Sequence, residues 1–184
     1  MRYKQIEMKT KTEIILIVLK VLALLAAIGF SIECGAQLLT FVSSFINPEW
    51  SKKTLSASKQ WFQILDYSAA YYSFGMSLLI LSSALKATVW YLMLGLLQKL
   101  QLRSPFSMDV TKKLEKLAYL LLGVWVLIAF IGKTYLHYVV KATGINLTDF
   151  SSGDEYLFIA GIVYIISQIF KRGIEMQEEN QLTV

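Results

Sequence analysis

Reactive side chains are scarce in this sequence, and their scarcity limits the chemistry it can perform. Among 184 residues there is one cysteine, Cys34, and one histidine, His137. A lone cysteine excludes an intramolecular disulfide bond, and a lone histidine excludes a clustered His/Cys metal site. The sequence also lacks a nucleophile elbow, a zinc-protease motif and a phosphate-binding loop. We therefore assign no catalytic residue, no metal ligand and no cofactor, and we expect a protein that is not an enzyme.

Proline is also rare, and neither of the two prolines interrupts a long apolar stretch. Hydrophobic residues make up 55% of the chain, more than in a typical soluble domain. A helix crosses the hydrocarbon core of a bilayer with about 20 mostly apolar residues. The sequence therefore predicts a single all-α domain, an integral membrane four-helix bundle. Its spans are expected at about 14–34, 69–97, 117–140 and 156–171.

Lysine and arginine are concentrated on one side of the predicted bundle. They cluster in the N-terminal tail, between the second and third spans, and after the fourth span. Positive residues favour the cytoplasmic side, so both termini are expected in the cytoplasm, with residues 172–184 as a cytoplasmic tail. We attribute the net charge of +5 to topology and lipid headgroups, and we expect no direct nucleic-acid binding. The expected location is the bacterial cytoplasmic (inner) membrane, crossed several times.

The polar connections carry local helix signals. Between the first two spans, Trp61 and Ile64 interrupt polar residues, which predicts a short helix on the outer membrane surface. Before the third span, Ser107 is a candidate N-cap, and Asp109 follows in the first turn, where a carboxylate complements the helix dipole. After the fourth span, the helix is expected to continue through residues 171–180.

Lys86 is the most deeply placed charge in the predicted spans. It lies near the middle of the second span, with Ser82, Ser83 and Trp90 on the same helical face. No acidic residue is expected at its depth in the other spans. In a structural interpretation, Lys86 is hydrogen-bonded to serines and carbonyl groups inside the bundle. In a functional interpretation, it lines a wet cavity that accepts an anion or a lipid headgroup.

Three further ionisable residues lie toward the outer side of the predicted spans. Glu33 belongs to the first span, and Lys133 and His137 lie one turn apart in the third. Glu33 is expected to pair with Lys133 or His137, because pairing offsets the cost of burying either charge. Such a pair either fixes helix packing or responds to protons, since histidine titrates near neutral pH.

The predicted cytoplasmic tail offers a surface for a protein partner. Its candidate docking residues are Arg172, Gly173, Glu175, Glu179 and Leu182. In one interpretation, the acidic residues of the tail pair with Lys112, Lys113 and Lys116 and clamp the tail to the bundle. In the other, the tail docks a cytosolic protein, with Ile174 and Met176 among its apolar anchors.

Two stretches resemble a known family. One is Pro105-Phe106-Ser107 followed by Leu114-Glu115-Lys116, and the other is the ending at 170–184, FKRGIEMQEENQLTV. In these stretches, in length and in its four predicted helices, the chain resembles the bacterial membrane family known as domain of unknown function 2975. The resemblance covers nearly the whole chain and supplies no catalytic residues. Genes of that family often lie beside a small helix-turn-helix regulator of the Cro/CI type, which implies a link to signalling.

Two functions remain open at this point. In the first, the chain is a non-enzymatic membrane protein that docks a cytosolic regulator through its C-terminal tail. In the second, it is a small transporter or channel component built around Lys86, although the sequence shows no internal repeat. Besides the lipid bilayer, the candidate partners are a cytosolic protein and further copies of this chain.

Overall fold

The computed structural model describes residues 11–54, 59–99, 107–147, 149–150 and 153–181. The secondary structure of these residues is helical, without β-strands. The helices are α1 (Lys11–Ile46), α2 (Pro48–Thr54), α3 (Lys59–Tyr67), α4 (Ala69–Lys99), α5 (Met108–Trp125), α6 (Lys133–Thr143) and α7 (Asp154–Gln181). A π-helical segment, Val126–Gly132, joins α5 to α6.

Within the described residues, four helical segments are long and apolar enough to cross a membrane. They are Glu13–Ile46, Ala69–Gln98, Met108–Thr143 and Asp154–Glu179. The third combines α5, the π-helical segment and α6. These segments confirm the predicted all-α fold with four apolar helices, and they make the chain a multi-pass membrane protein. Each extends beyond the apolar stretch seen in the sequence, because polar residues at its ends continue the helix.

The long helices run antiparallel to their neighbours. α1 packs along α4, α4 along α5, and α5 along α7. Phe41 stacks on Tyr72 with 6.1 Å between ring centroids, whereas Phe30 lies beside Lys86, so α1 and α4 run in opposite directions. The start of α1 and the end of α7 therefore lie at the same end of the bundle, which we call the terminal end. We call the opposite end, with α2 and α3, the cap end.

Charged side chains mark two levels on the bundle. Toward the cap end, Lys133 Nζ lies 3.2 Å from a carboxylate oxygen of Asp154. Toward the terminal end, Lys113 Nζ donates to the carbonyl oxygen of Gly95 at 2.9 Å. About 30 Å of helix separates Lys113 from Lys133 at about 1.5 Å per residue, which matches the thickness of a hydrocarbon core. We therefore place the apolar slab of the bilayer between these two charged levels.

Beyond the charged level at the cap end, the chain forms a packed cap. Trp61 and Ile64 of α3 are 5% and 0% exposed. The Trp61 ring lies parallel to that of Tyr135 at 6.4 Å, and its indole N–H donates to Asp149 at 3.3 Å. The short helix predicted here is present as α3, but its apolar face packs into the cap and not onto the membrane surface. The apolar face of α3 packs closely against aromatic rings on α4 and α6. A layer of lipid headgroups has no such closely packed surface.

The connection after α6 also packs into the cap. Gly144 ends α6 with a φ of 72°, a left-handed conformation that favours glycine. Leu147 and Phe150 are then buried. Phe150 lies so close to Gly132 that a Cβ atom there would come within 2.6 Å of the ring. Leu147 and Phe150 are thus part of the core.

Two local helix signals from the sequence are confirmed. The Ser107 hydroxyl accepts a hydrogen bond from the Val110 N–H at 3.4 Å, and Asp109 lies in the first turn of α5. α7 extends to Gln181 and so includes the predicted continuation at 171–180. The Pro105-Phe106 part of the connection before α5 lies outside the described residues.

Candidate functional site

The contact between α1 and α4 is polar around Ser83, although this residue lies within the apolar slab. Ser83 of α4 is fully buried, and its hydroxyl oxygen lies 3.1 Å from Glu33 Oε1 and 2.9 Å from Gln37 Oε1. The Gln37 amide also donates to Glu33 Oε1 at 3.2 Å. A hydroxyl has one proton, so Ser83 donates to one of these acceptors at a time. We call Glu33, Gln37 and Ser83 the α1–α4 polar cluster.

Lys86 lies one helical turn from this cluster. Its Nζ is 5.8 Å from the centroid of the Phe30 ring, a cation–π contact. Phe30 is itself one turn from Glu33 on α1, so the backbone of Glu33 lies about 5 Å in depth from the residue that Lys86 contacts. An acidic residue therefore lies within about one helical turn of the depth of Lys86. The register of α1 against α4, which the sequence alone does not give, brings Glu33 to this level.

The predicted pairing of Glu33 with Lys133 or His137 is also wrong. Lys133 instead contacts Asp154 at the start of α7. The His137 ring packs edge-on against its neighbour Tyr138, with 6.1 Å between centroids. Glu33 is on α1, which packs along α4, whereas Lys133 at the start of α6 reaches Asp154 at the start of α7.

The chemistry of the polar cluster follows from its donors. The Gln37 amide and the Ser83 hydroxyl satisfy part of the hydrogen-bonding capacity of Glu33, which lowers the cost of placing a carboxylate at membrane depth. The cluster therefore fixes α1 against α4. Together with Lys86, it also offers a polar solute one acidic and one basic group. Gln37 was not among the predicted site residues, although its position four residues after Glu33 places both side chains on one helical face.

The tail residues proposed for docking lie along the last turns of α7. Arg172 donates to Glu175 at 2.9 Å within the helix. Ile174 is only 8% exposed, so it is not the free apolar anchor predicted from the sequence. Met176 is 49% exposed, and Glu179 is exposed.

Of the remaining two docking candidates, the structure describes only one. Gly173 is partly buried between Arg172 and Ile174. Leu182 lies outside the described residues.

The expected clamp between the tail and the basic connection is not formed by Glu175 or Lys113. Glu175 pairs with Arg172 of its own helix, and Lys113 donates to the Gly95 carbonyl group. α7 instead contacts α5 at the edge of the apolar slab, where the Gln168 amide donates to Glu115 at 3.3 Å. The exposed carboxylates at the end of α7 therefore project from a helix that is already held in place.

Comparison with known proteins gives one match. A family model described as "Protein of unknown function (DUF2975)" matches residues 9–184. No curated protein matches the chain. No solved structure matches it either.

Proposed function

This chain belongs to the DUF2975 family of proteins of unknown function, and we propose that it is a non-enzymatic membrane protein that docks a cytosolic protein through the end of α7. We further propose that it lies in a bacterial cytoplasmic membrane with its terminal end in the cytoplasm. The excess of basic residues at the terminal end supports this orientation.

The observation that carries the proposal is the continuation of α7 beyond the apolar slab. The helix runs from Phe170 to Gln181 without a break, about 16 Å at about 1.5 Å per residue. Buried Ile174 holds this extension against the rest of the chain. A partner therefore meets a helix that is already ordered, and ordering it on binding costs little entropy.

The exposed side of the extension has the chemistry of a helical docking surface. Met176 supplies exposed apolar area, and Gln177, Glu178 and Glu179 are exposed beside it. An apolar side chain surrounded by carboxylates suits a groove with a basic rim, because charge complementarity guides association and the apolar contact adds affinity. The proposed partner is thus a cytosolic protein with a basic, partly apolar groove.

Photo-crosslinking in living cells tests this proposal. In one variant, benzoylphenylalanine replaces Gln177 near the end of α7. In the other, it replaces Trp50 of α2 at the cap end. Both positions are exposed. We expect a defined cytosolic protein to be captured from position 177 and not from position 50. Adding Glu178→Lys to the position 177 variant is expected to weaken the capture several-fold, because it reverses a charge on the docking surface.

The matched control for the charge reversal is Glu49→Lys on α2, which makes the same change on an exposed residue at the cap end. Capture that is equally strong with and without Glu178→Lys would count against docking at this surface. Capture of cytosolic proteins from position 50 would overturn the proposed orientation.

A second candidate function, transport of a small anion, is favoured by the polar cluster and Lys86. Glu33 and Lys86 lie at depths that differ by about one helical turn inside the apolar slab, where isolated charges are costly and usually functional. Anion efflux from proteoliposomes tests it. If the candidate is right, Lys86→Leu abolishes the efflux. Lys20→Leu, a matched change at a lysine near the terminal end of α1, leaves it intact. Equal efflux from wild type and Lys86→Leu would remove the reason for this candidate.

A further inference from the structure

A groove runs between α4 and the helix formed by the π-helical segment and α6. It has a volume of about 510 Å³ and is lined almost wholly by apolar surface. This volume is in the range of small-molecule sites. Its lining residues are Tyr71, Phe74, Phe130, Ile131, Thr134, Tyr135 and Tyr138.

The groove crosses the boundary between the apolar slab and the cap. Lys133, which pairs with Asp154 at that boundary, lies on the same helical stretch as the groove. Phe130 lies about one turn below Lys133, inside the slab, and Tyr138 lies more than one turn above it. The groove therefore begins among lipid chains and ends at headgroup level.

Side-chain polarity changes along the groove in the same direction. At its lower end, Phe130 and Phe74 are 69% and 52% exposed and present only hydrocarbon. At its upper end, Tyr71 and Tyr138 add phenol groups, and Tyr138 is 63% exposed. Aromatic rings with a polar tip favour the membrane interface.

Positive charge follows at the upper end. Lys141 lies three residues after Tyr138, in the last turn of α6, so the two side chains share a helical face. Lys141 is exposed, and so is His137, whose ring contacts Tyr138. An ammonium group close to the interface attracts an anionic headgroup.

The floor of the groove has an irregular backbone. Phe130 and Ile131 belong to the π-helical segment, which interrupts the α-helical repeat between α5 and α6. Such segments frequently occur at functional sites. Here the segment places two apolar side chains on the groove at the depth where a lipid chain begins.

We propose that this groove binds one anionic phospholipid of the leaflet at the cap end. An acyl chain lies along Phe74, Phe130 and Ile131, the glycerol region meets the Tyr71 and Tyr138 phenols, and the phosphate lies toward Lys141. The order of apolar surface, phenol and ammonium group along the groove matches the order of groups along a phospholipid. The assignment does not depend on the docking role of α7.

Native mass spectrometry of the full chain in detergent tests the site, with phosphatidylglycerol and phosphatidylcholine of identical acyl chains as probes. We expect one phosphatidylglycerol to be retained per chain. Thr134→Trp fills the groove and is expected to lower the retained fraction at least fivefold. Thr88→Trp is the matched control: both threonines are exposed and both donate to the carbonyl group four residues earlier, but Thr88 lies outside the groove.

A second variant tests the headgroup contact without filling the groove. Lys141→Gln is expected to reduce the preference for phosphatidylglycerol over phosphatidylcholine about fivefold, the effect of about one basic residue near an anionic surface. Lys53→Gln changes an exposed lysine of α2 and should leave the preference unchanged.

Equal lipid retention by Thr134→Trp and Thr88→Trp would overturn the site. A lipid-free dimer that Thr134→Trp dissociates would assign the groove to a second copy instead. An unchanged preference in Lys141→Gln would overturn the anionic headgroup.

Discussion

Replacing Trp61 with alanine is expected to destabilise the folded chain by about 3–5 kcal/mol, the largest effect of any single substitution considered for this protein. The Trp61 side chain is 5% exposed and fills the centre of the cap between α3, α4 and α6. Its ring stacks on Tyr135 and meets Tyr72 edge-on, so the substitution removes both ring contacts and leaves a cavity.

The measurement is the midpoint temperature, at which half of the protein in detergent is no longer monodisperse. Size-exclusion chromatography after heating gives the monodisperse fraction. Trp50→Ala is the control, because Trp50 of α2 is 53% exposed and its removal opens no cavity. We expect a large fall in the midpoint for Trp61→Ala and almost no change for Trp50→Ala. Similar midpoints for the two variants would show that the cap does not contribute a packed core.

Valine at Gly75 is expected to destabilise the chain by about 2–4 kcal/mol through overpacking. Gly75 of α4 is buried against Tyr135 and Trp61, and a Cβ atom there would overlap the Tyr135 hydroxyl group and come within 2.6 Å of its ring. That hydroxyl group donates to the Tyr71 carbonyl oxygen at 2.9 Å. The added side chain therefore both strains the core and breaks a hydrogen bond.

Gly29→Val is the matched control, because a Cβ atom at Gly29 of α1 meets nothing within 4 Å. Valine is the better helix former of the two, so this variant should be as stable as wild type or slightly more so. The same heating assay separates the two variants. If Gly75→Val and Gly29→Val have the same midpoint temperature, then α4 and α6 do not approach each other as closely as they do in the structure.

Local signals in the sequence predicted local structure well. The Ser107 cap and the continuation of α7 depend on residues that are neighbours along the chain, and both are confirmed. Contacts between helices were predicted less well. Glu33 was expected to pair with the third span, but it contacts Ser83 of α4 and Gln37 of its own helix.

The cap was the least predictable part of the fold. Trp61 and Ile64 gave a correct prediction of a short helix, but the same apolar residues suit a membrane surface and a protein core equally. Which one they meet depends on Tyr135 and Phe150, which lie far away in sequence. The groove beside the cap also depends on segments that are far apart in sequence, because its walls come from α4 and from the π-helical segment.

The sequence by itself determined that lipid surrounds this protein and how many long apolar helices it has. Both follow from the length of each apolar segment and the position of its charges, which are properties of single segments. Only the tertiary structure decided that Ser83 meets Glu33, that Lys133 meets Asp154 and that α3 closes the cap. In a membrane chain the lipid-facing and protein-facing sides of a helix are both apolar, so the pattern of hydrophobicity does not fix helix rotation or register. Close packing and a few polar contacts between helices fix them instead.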